Sequence, residues 1–120
     1  MARERSPSDF TVSVEGIGTF TFAKRRMADE INVQVEYARI IQGVEPTDWL
    51  ALVGGWLSVL RVLTVAAPEG WNIDEMDPLD NDTYLRLGRV HKALADKERS
   101  FRPGAASPSA DPREGAGAVA

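Results

Sequence analysis

The chain has 120 residues, a net charge of −4 and no cysteine, and these properties exclude several classes of protein. The length is that of a single domain. The lack of cysteine excludes a disulfide framework, a thiolate zinc site and a cysteine nucleophile. The largest basic cluster is Lys24-Arg25-Arg26. Because duplex nucleic-acid binders usually carry a basic face, we do not expect nucleic acid as a partner.

The two ends of the chain differ in composition from the part between them. Segment 1–8 is polar and is predicted to be loose. Segment 103–120 is rich in Ala, Gly, Pro and Ser and has no apolar period, which predicts disorder. One folded domain is therefore expected over 9–102.

The segment from Phe10 to Phe22 predicts a β-hairpin, because two runs of alternating apolar and polar residues flank a break that contains glycine. A two-residue loop would scatter the apolar side chains over both faces. A three-residue loop at 15–17 instead pairs Val12 with Phe20, which puts four large apolar side chains on one face. We therefore expect the three-residue loop.

The stretch DEINVQVEYARIIQG, residues 29–43, fits both a strand and a helix. Apolar and polar residues alternate over seven positions, but the apolar residues also recur at helical spacing. The periodic segment from about Met27 to Gln42 is longer than a typical strand, and Gly43 follows where a left-handed cap is common. A helix is therefore predicted.

The apolar residues of this helix fall on two adjacent stripes, which indicate a broad buried face. We expect the helix to pack on both the hairpin and the following helix. The first stripe comprises Met27, Ile31, Val35 and Ala38, and the second comprises Val33, Tyr37, Ile40 and Ile41. The residues expected near solvent are Asn32, Gln34, Glu36 and Arg39.

The most apolar segment predicts a second helix from Trp49 to Ala67. Pro46 and Thr47-Asp48 are typical of a helix start, and Pro68 and Gly70 are typical of its end. Within this helix the pair Gly54-Gly55 is predicted to leave a notch that another helix or the hairpin can approach closely.

The second helix is close to the length of a membrane span, so one alternative is a small membrane protein spanning with residues 49–67. The polar residues Arg61, Ser58 and Thr64 inside the run count against this alternative, since a central charge is costly in a bilayer. We expect a central helix buried by the other elements, and no membrane as a partner.

A third helix is predicted after an acidic linker. Its cap is expected at Asp80, Asn81 or Asp82. Apolar residues at near-helical spacing follow, namely Tyr84, Leu87, Val90, Leu94 and Phe101. The expected fold class is therefore α+β and mostly helical, with an N-terminal β-hairpin, about three α-helices and a disordered C-terminal tail.

No pattern of residues indicates catalysis. GIGTFT lacks the third glycine of a nucleotide-binding loop, and the acidic run 74–82 lacks the frame of a calcium loop. His91 is the single histidine, so a transition-metal site or a catalytic triad would have to rely on it alone. We expect neither an enzyme nor a cofactor or metal.

Four residues are candidates for binding a partner: Arg61, Trp71, Ile73 and Met76. The guanidinium of Arg61 could reach the surface, pair with an acid from another helix, or bind a partner's carboxylate. The other three lie in the linker, where they could close the core or form an exposed apolar patch. The residues alone leave these alternatives open.

The order of these pieces resembles the small tail assembly chaperones of long-tailed bacteriophages. The resemblance covers about residues 10–102 and rests on the DEI…EYARIIQG helix, the L…VLTVAAPEGW helix end and the F-R exit into the C-terminal tail. It implies a protein that binds the tape-measure protein, keeps it soluble and helps recruit tail-tube subunits. It also implies a frameshifted longer form that meets the tail-tube protein.

The resemblance further implies a location in the cytoplasm of the infected or lysogenic bacterial host, and absence from the mature virion. A second alternative is a phage structural adaptor or tail-completion protein, which would be present in the virion.

Overall fold

Three antiparallel strands and three α-helices make up the fold, which confirms the mostly helical α+β prediction. The computed structural model describes residues 3–102, so the predicted disorder of 103–120 lies outside the described residues. In chain order the elements are β1 (Phe10–Val14), β2 (Gly18–Phe22), α1 (Met27–Ile41), α2 (Asp48–Leu63), β3 (Thr64–Ala66), a 3-10 turn (Ile73–Glu75) and α3 (Asn81–Arg99).

Strands β1 and β2 form the predicted hairpin with the predicted register. Val12 pairs with Phe20, and Phe10 pairs with Phe22, so the loop has three residues. Gly16 in this loop has φ +80°, a conformation that glycine adopts without strain. The alternation along both strands directs the large apolar side chains to one face of the sheet, where most of them are buried.

The second helix ends four residues earlier than predicted, because the chain switches to a third strand. The prediction of a helix up to Ala67 is wrong after Leu63. Strand β3 begins with the β-branched residues Thr64 and Val65 and pairs with β2, where Thr21 faces Ala66. A two-stranded hairpin is marginally stable, so a third strand on the open edge of β2 stabilises the sheet. Within residues 3–102 no helix is long and apolar enough to cross a membrane.

The main core lies between the sheet and one side of α2 and α3. Leu60 and Leu63 of α2 meet the aromatic side chains of β2, and α3 covers the same layer. The buried members from α3 are Leu87, Val90 and Leu94. Among residues 3–102, no member of this cluster comes from α1, so the expectation that α1 packs on the hairpin is wrong.

Helix α1 packs instead on another side of α2, at the predicted glycine notch. A Cβ atom on Gly54 would lie 3.4 Å from Tyr37 Cε1 and 3.5 Å from Ile40 Cγ2. The helix that enters the notch is therefore α1, and the second of its two apolar stripes makes the contact. As a result α2 is central, with α1 and α3 on different sides of it.

The starts of α2 and α3 have the predicted caps. Thr47 Oγ1 accepts a hydrogen bond from the Leu50 N–H at 3.1 Å and caps α2. Asp80 caps α3 in the same way through the Asp82 N–H, at 2.9 Å. After α1, Gln42 and then Gly43 take positive φ values of 53° and 79°, so the left-handed cap begins one residue before the predicted glycine.

Candidate partner-binding groove

An open groove of about 420 Å³ runs along the side of α2 that neither the sheet nor α1 covers. Its floor is apolar and comes from Leu52, Gly55, Trp56 and Val59. Leu52 is 56% exposed, and a Cβ atom on Gly55 would meet no heavy atom of residues 3–102 within 4 Å. The floor exists because α2 is apolar on nearly all sides, so packing on two neighbours still leaves a third apolar side.

The walls of the groove come from the two flanking helices. Helix α1 supplies Val33, Gln34 and Tyr37, and Tyr37 stands close to α2 because Gly54 has no side chain. Helix α3 supplies His91, and the centroids of the His91 and Trp56 rings lie 6.3 Å apart. The α1 side chains in the wall, Val33, Gln34 and Tyr37, are thus apolar or uncharged.

The surroundings of His91 favour its neutral form. Burial of the imidazole, and then the positive charge of Arg25, lower the pKa of His91, while Glu98 acts in the opposite direction. The lowered pKa therefore favours an uncharged imidazole in the groove wall.

One end of the groove is closed by a charged cluster around Arg25. Its guanidinium donates to both carboxylate oxygens of Glu98, at 3.1 and 3.0 Å, and to Glu30 at 2.8 Å. Partial burial acts to lower the pKa of Arg25, but the hydrogen bonds to Glu30 and Glu98 outweigh it and raise the pKa. This cluster joins the start of α1 to the end of α3 across the groove.

The start of α1 is held in place by the buried carboxylate of Asp29, which is only 3% exposed. Asp29 Oδ2 accepts from the Arg26 N–H at 2.9 Å, and Asp29 Oδ1 pairs with Arg3 Nη1 at 2.9 Å. The same Arg3 nitrogen donates to the Val62 carbonyl at 3.0 Å. Arg3 therefore ties α1 to α2, although it lies within the segment 1–8 that is predicted to be loose.

The first apolar stripe of α1 faces solvent. Met27, Ile31 and Val35 are 74%, 56% and 62% exposed. The expectation that both stripes are buried is wrong, because among residues 3–102 α1 packs mainly on α2, and one neighbouring helix covers a single face. Of the residues predicted near solvent, Asn32, Gln34 and Arg39 are exposed, and Glu36 is partly buried.

The four residues selected from the sequence lie elsewhere. Arg61, Trp71 and Ile73 line a different shallow cavity of about 340 Å³, and Met76 is not part of its lining. The Arg61 guanidinium bonds to Glu36 of α1, at 3.2 Å, and to Asp74. This ion pairing with an acid from another helix is one of the predicted alternatives.

The three apolar members of that set pack against the core. Trp71 stands edge-on to the Phe20 ring at 4.9 Å, and Ile73 and Met76 are partly buried against the core cluster. These contacts favour the interpretation that the linker closes the core. Partner binding by these residues stays a prediction.

The groove offers apolar contact and a few uncharged hydrogen-bonding groups, which suits binding of an apolar surface. Within residues 3–102 no group of three or more His, Asp or Glu side chains is placed to hold a metal ion. Protein-family models, curated proteins and solved structures were compared with the chain, and none matches it.

Proposed function

We propose that this protein is a non-enzymatic tail assembly chaperone of a long-tailed bacteriophage, which binds apolar helical segments of the tape-measure protein in its α1–α2–α3 groove. The main observation in support is the open apolar floor around Gly55. The resemblance of the sequence to tail assembly chaperones suggests the partner.

The dimensions of the groove suit a short piece of helix. From Leu52 to Val59 the floor spans eight residues of α2, which corresponds to about 12 Å at a rise of 1.5 Å per residue. About two turns of a bound helix would fit, with apolar side chains at i, i+3 or i+4, and i+7 directed at the floor. One such contact is small, so many copies would bind along one long tape-measure chain.

The charge distribution fits a protein that keeps an apolar chain in solution. The chain carries a net charge of −4, and the charged groups at the groove end are paired with one another. A coat of such molecules gives the coated tape-measure chain a net negative charge, so coated chains repel one another and aggregation is opposed. The chaperone acts in the cytoplasm of the bacterial host, is absent from the mature virion and recruits tail-tube subunits through a longer form of the chain.

Co-expression with the tape-measure protein tests the proposal. The wild-type chain is expected to co-purify with it and to increase the soluble fraction. Gly55→Glu places a charge on the groove floor and is expected to abolish both effects, whereas the matched control Gly55→Ala keeps them. A Gly55→Glu variant that binds as well as wild type would rule out the groove as the binding site.

Mass spectrometry of purified virions addresses the second alternative. A chaperone is expected to be missing from the particle. Detection of the chain in a constant ratio to the tail-tube protein would instead identify a structural adaptor.

A further inference from the structure

Four exposed residues of α1 form a row, the α1 stripe, which has the spacing of two paired helices and shares Ile31, Val35 and Ala38 with the first apolar stripe. Its members Ala28, Ile31, Val35 and Ala38 follow one another at intervals of three, four and three residues. This is the a/d spacing by which two helices pack side by side. An exposed apolar patch of this kind on a small protein marks an interaction surface.

The stripe has the same pattern of side-chain size in both directions along the helix: small, large, large, small. A two-fold axis at position 33 that makes two copies of α1 antiparallel would bring Ile31 opposite Val35 of the second copy. The same axis brings Ala28 opposite Ala38, where two methyl groups allow close approach of the helices. A self-complementary pattern is what a two-fold interface between identical chains requires, since each residue pair occurs twice.

The polar neighbours of the stripe obey the same symmetry. Asn32 and Gln34 flank the stripe on opposite sides, so the axis brings Asn32 beside Asn32 of the second copy and Gln34 beside Gln34 of the second copy. Each side-chain amide carries both donors and acceptors, so each of these two pairs can hydrogen-bond across the interface.

Like charges do not oppose this association, because the carboxylates of α1 are held by arginines of their own chain. Asp29 pairs with Arg3, and Glu30 pairs with Arg25. Glu36 pairs with Arg39 at 2.5 Å, and Arg39 is the charged residue beside the stripe. Two molecules with a net charge of −4 would thus meet at an apolar surface flanked by amides.

We propose that two copies of this chain associate through the α1 stripe as an antiparallel two-fold helix pair. Leu52 and Gly55 of the groove floor lie outside the stripe, whereas Gln34 borders both the groove and the stripe. The stripe extends over eleven residues, or about 16 Å of helix, so the interface is small and the dimer dissociates on dilution. Association does not depend on the chaperone function, but two grooves on one particle would strengthen binding to a long chain.

Sedimentation equilibrium over a range of protein concentrations tests the association. The wild-type mass is expected to rise with concentration from 13.1 kDa toward twice that value. Ile31→Glu is expected to remain at the monomer mass with an unchanged circular dichroism spectrum, because Ile31 is exposed in the single chain. The matched control Leu85→Glu, at an exposed position of α3, is expected to dimerise as wild type does.

The double variant Ile31→Lys/Val35→Glu is expected to recover the dimer, since in the antiparallel pair the introduced lysine of one copy faces the introduced glutamate of the other. A wild-type chain that stays monomeric at its solubility limit would overturn the proposal. A dimer that Ile31→Glu leaves intact would overturn it equally.

Disulfide formation tests the orientation, because the natural chain has no cysteine. An equimolar mixture of Ala28→Cys and Ala38→Cys chains is expected to form a mixed disulfide readily under mild oxidation. Either variant alone is expected to cross-link several-fold more slowly. Equal or faster cross-linking of Ala28→Cys alone would contradict the antiparallel arrangement.

Discussion

Tyr37 packs directly on Gly54, at 3.4 Å from the position that a Cβ atom would take, whereas the same position on Gly55 faces open space. Two adjacent glycines in one helix thus have opposite surroundings. The first admits α1 to the side of α2, and the second leaves the neighbouring side open as the groove floor. This contrast is the basis of the proposed binding site.

The same substitution at the two glycines is therefore expected to have opposite effects on stability. Gly54→Leu would push Tyr37 and α1 away from α2, with an expected loss of about 1–3 kcal/mol in the free energy of unfolding. Gly55→Leu meets no neighbour and improves helix propensity, with an expected gain of up to about 1 kcal/mol. Urea unfolding followed by circular dichroism measures both. Equal destabilisation by the two variants would contradict the open floor at Gly55.

Asp29 is expected to make stability depend on pH in the acidic range. Burial acts to raise the pKa of Asp29, but hydrogen bonds from Arg3 and from the Arg26 N–H outweigh it and lower the pKa. A carboxylate with a lowered folded-state pKa stabilises the protein above its unfolded-state pKa, about 3.9. That stabilisation is lost as the pH falls through the folded-state value.

The corresponding experiment compares wild type with Asp29→Asn, which keeps an acceptor for the Arg26 N–H but removes the charge. Wild type is expected to be more stable by about 1–2 kcal/mol at pH 7, and the difference is expected to shrink steadily below about pH 4. Asp48→Asn, at an exposed first-turn aspartate of α2, provides the control. A difference that is the same at pH 7 and pH 3 would exclude the ion pair as its cause.

Much of the fold is predictable from the sequence, because local patterns determine it. The hairpin register follows from which pairing gathers Phe10, Val12, Phe20 and Phe22 on one face, and the caps follow from the hydrogen-bonding side chains of Thr47 and Asp80. Strand β3 is not predictable in this way. Thr64 and Val65 continue an apolar run that fits a helix. The strand conformation is favoured over the helix because it pairs with the open edge of β2.

The groove could not be located from periodicity because burial depends on how many neighbours a helix has. The two stripes of α1 indicate two apolar surfaces but do not reveal that only one of them has a packing partner within residues 3–102. In the same way, Trp71 sits in an irregular linker and suggests a free aromatic side chain, while its edge packs against Phe20. The sequence does carry one signal of an open surface: α1 and α2 together have more apolar faces than there are predicted elements to cover them.

His91 reports on the charged end of the groove. Burial and the nearby positive charge of Arg25 lower the pKa of His91, so its NMR titration midpoint is expected below about 6.5. Between these two pKa values the unfolded chain binds a proton at His91 more readily than the folded chain does. The free energy of unfolding is therefore expected to decrease as the pH falls from about 6.5 toward the folded-state pKa. Since His91 is the single histidine, its imidazole signal needs no further assignment.

Arg25→Met removes the positive charge and also releases Glu98, and both changes are expected to raise the midpoint of His91. Arg99→Met, which removes an exposed arginine bonded to Asp96, is expected to leave it unchanged. A His91 midpoint that does not respond to Arg25→Met would contradict the proximity of the cluster to the groove wall.

The three tryptophan indole signals test the site of partner binding most directly. Trp56 lies in the groove, Trp71 lies in the separate cavity with Arg61 and Ile73, and Trp49 lies at the start of α2 against Tyr84. In a ¹⁵N-labelled sample titrated with an amphipathic helical peptide from the tape-measure protein, the Trp56 indole N–H is expected to shift progressively while that of Trp71 stays in place. A shift confined to Trp71 would move the site to the Arg61 cavity, and no shift at any indole at saturating peptide would contradict the groove as a binding site.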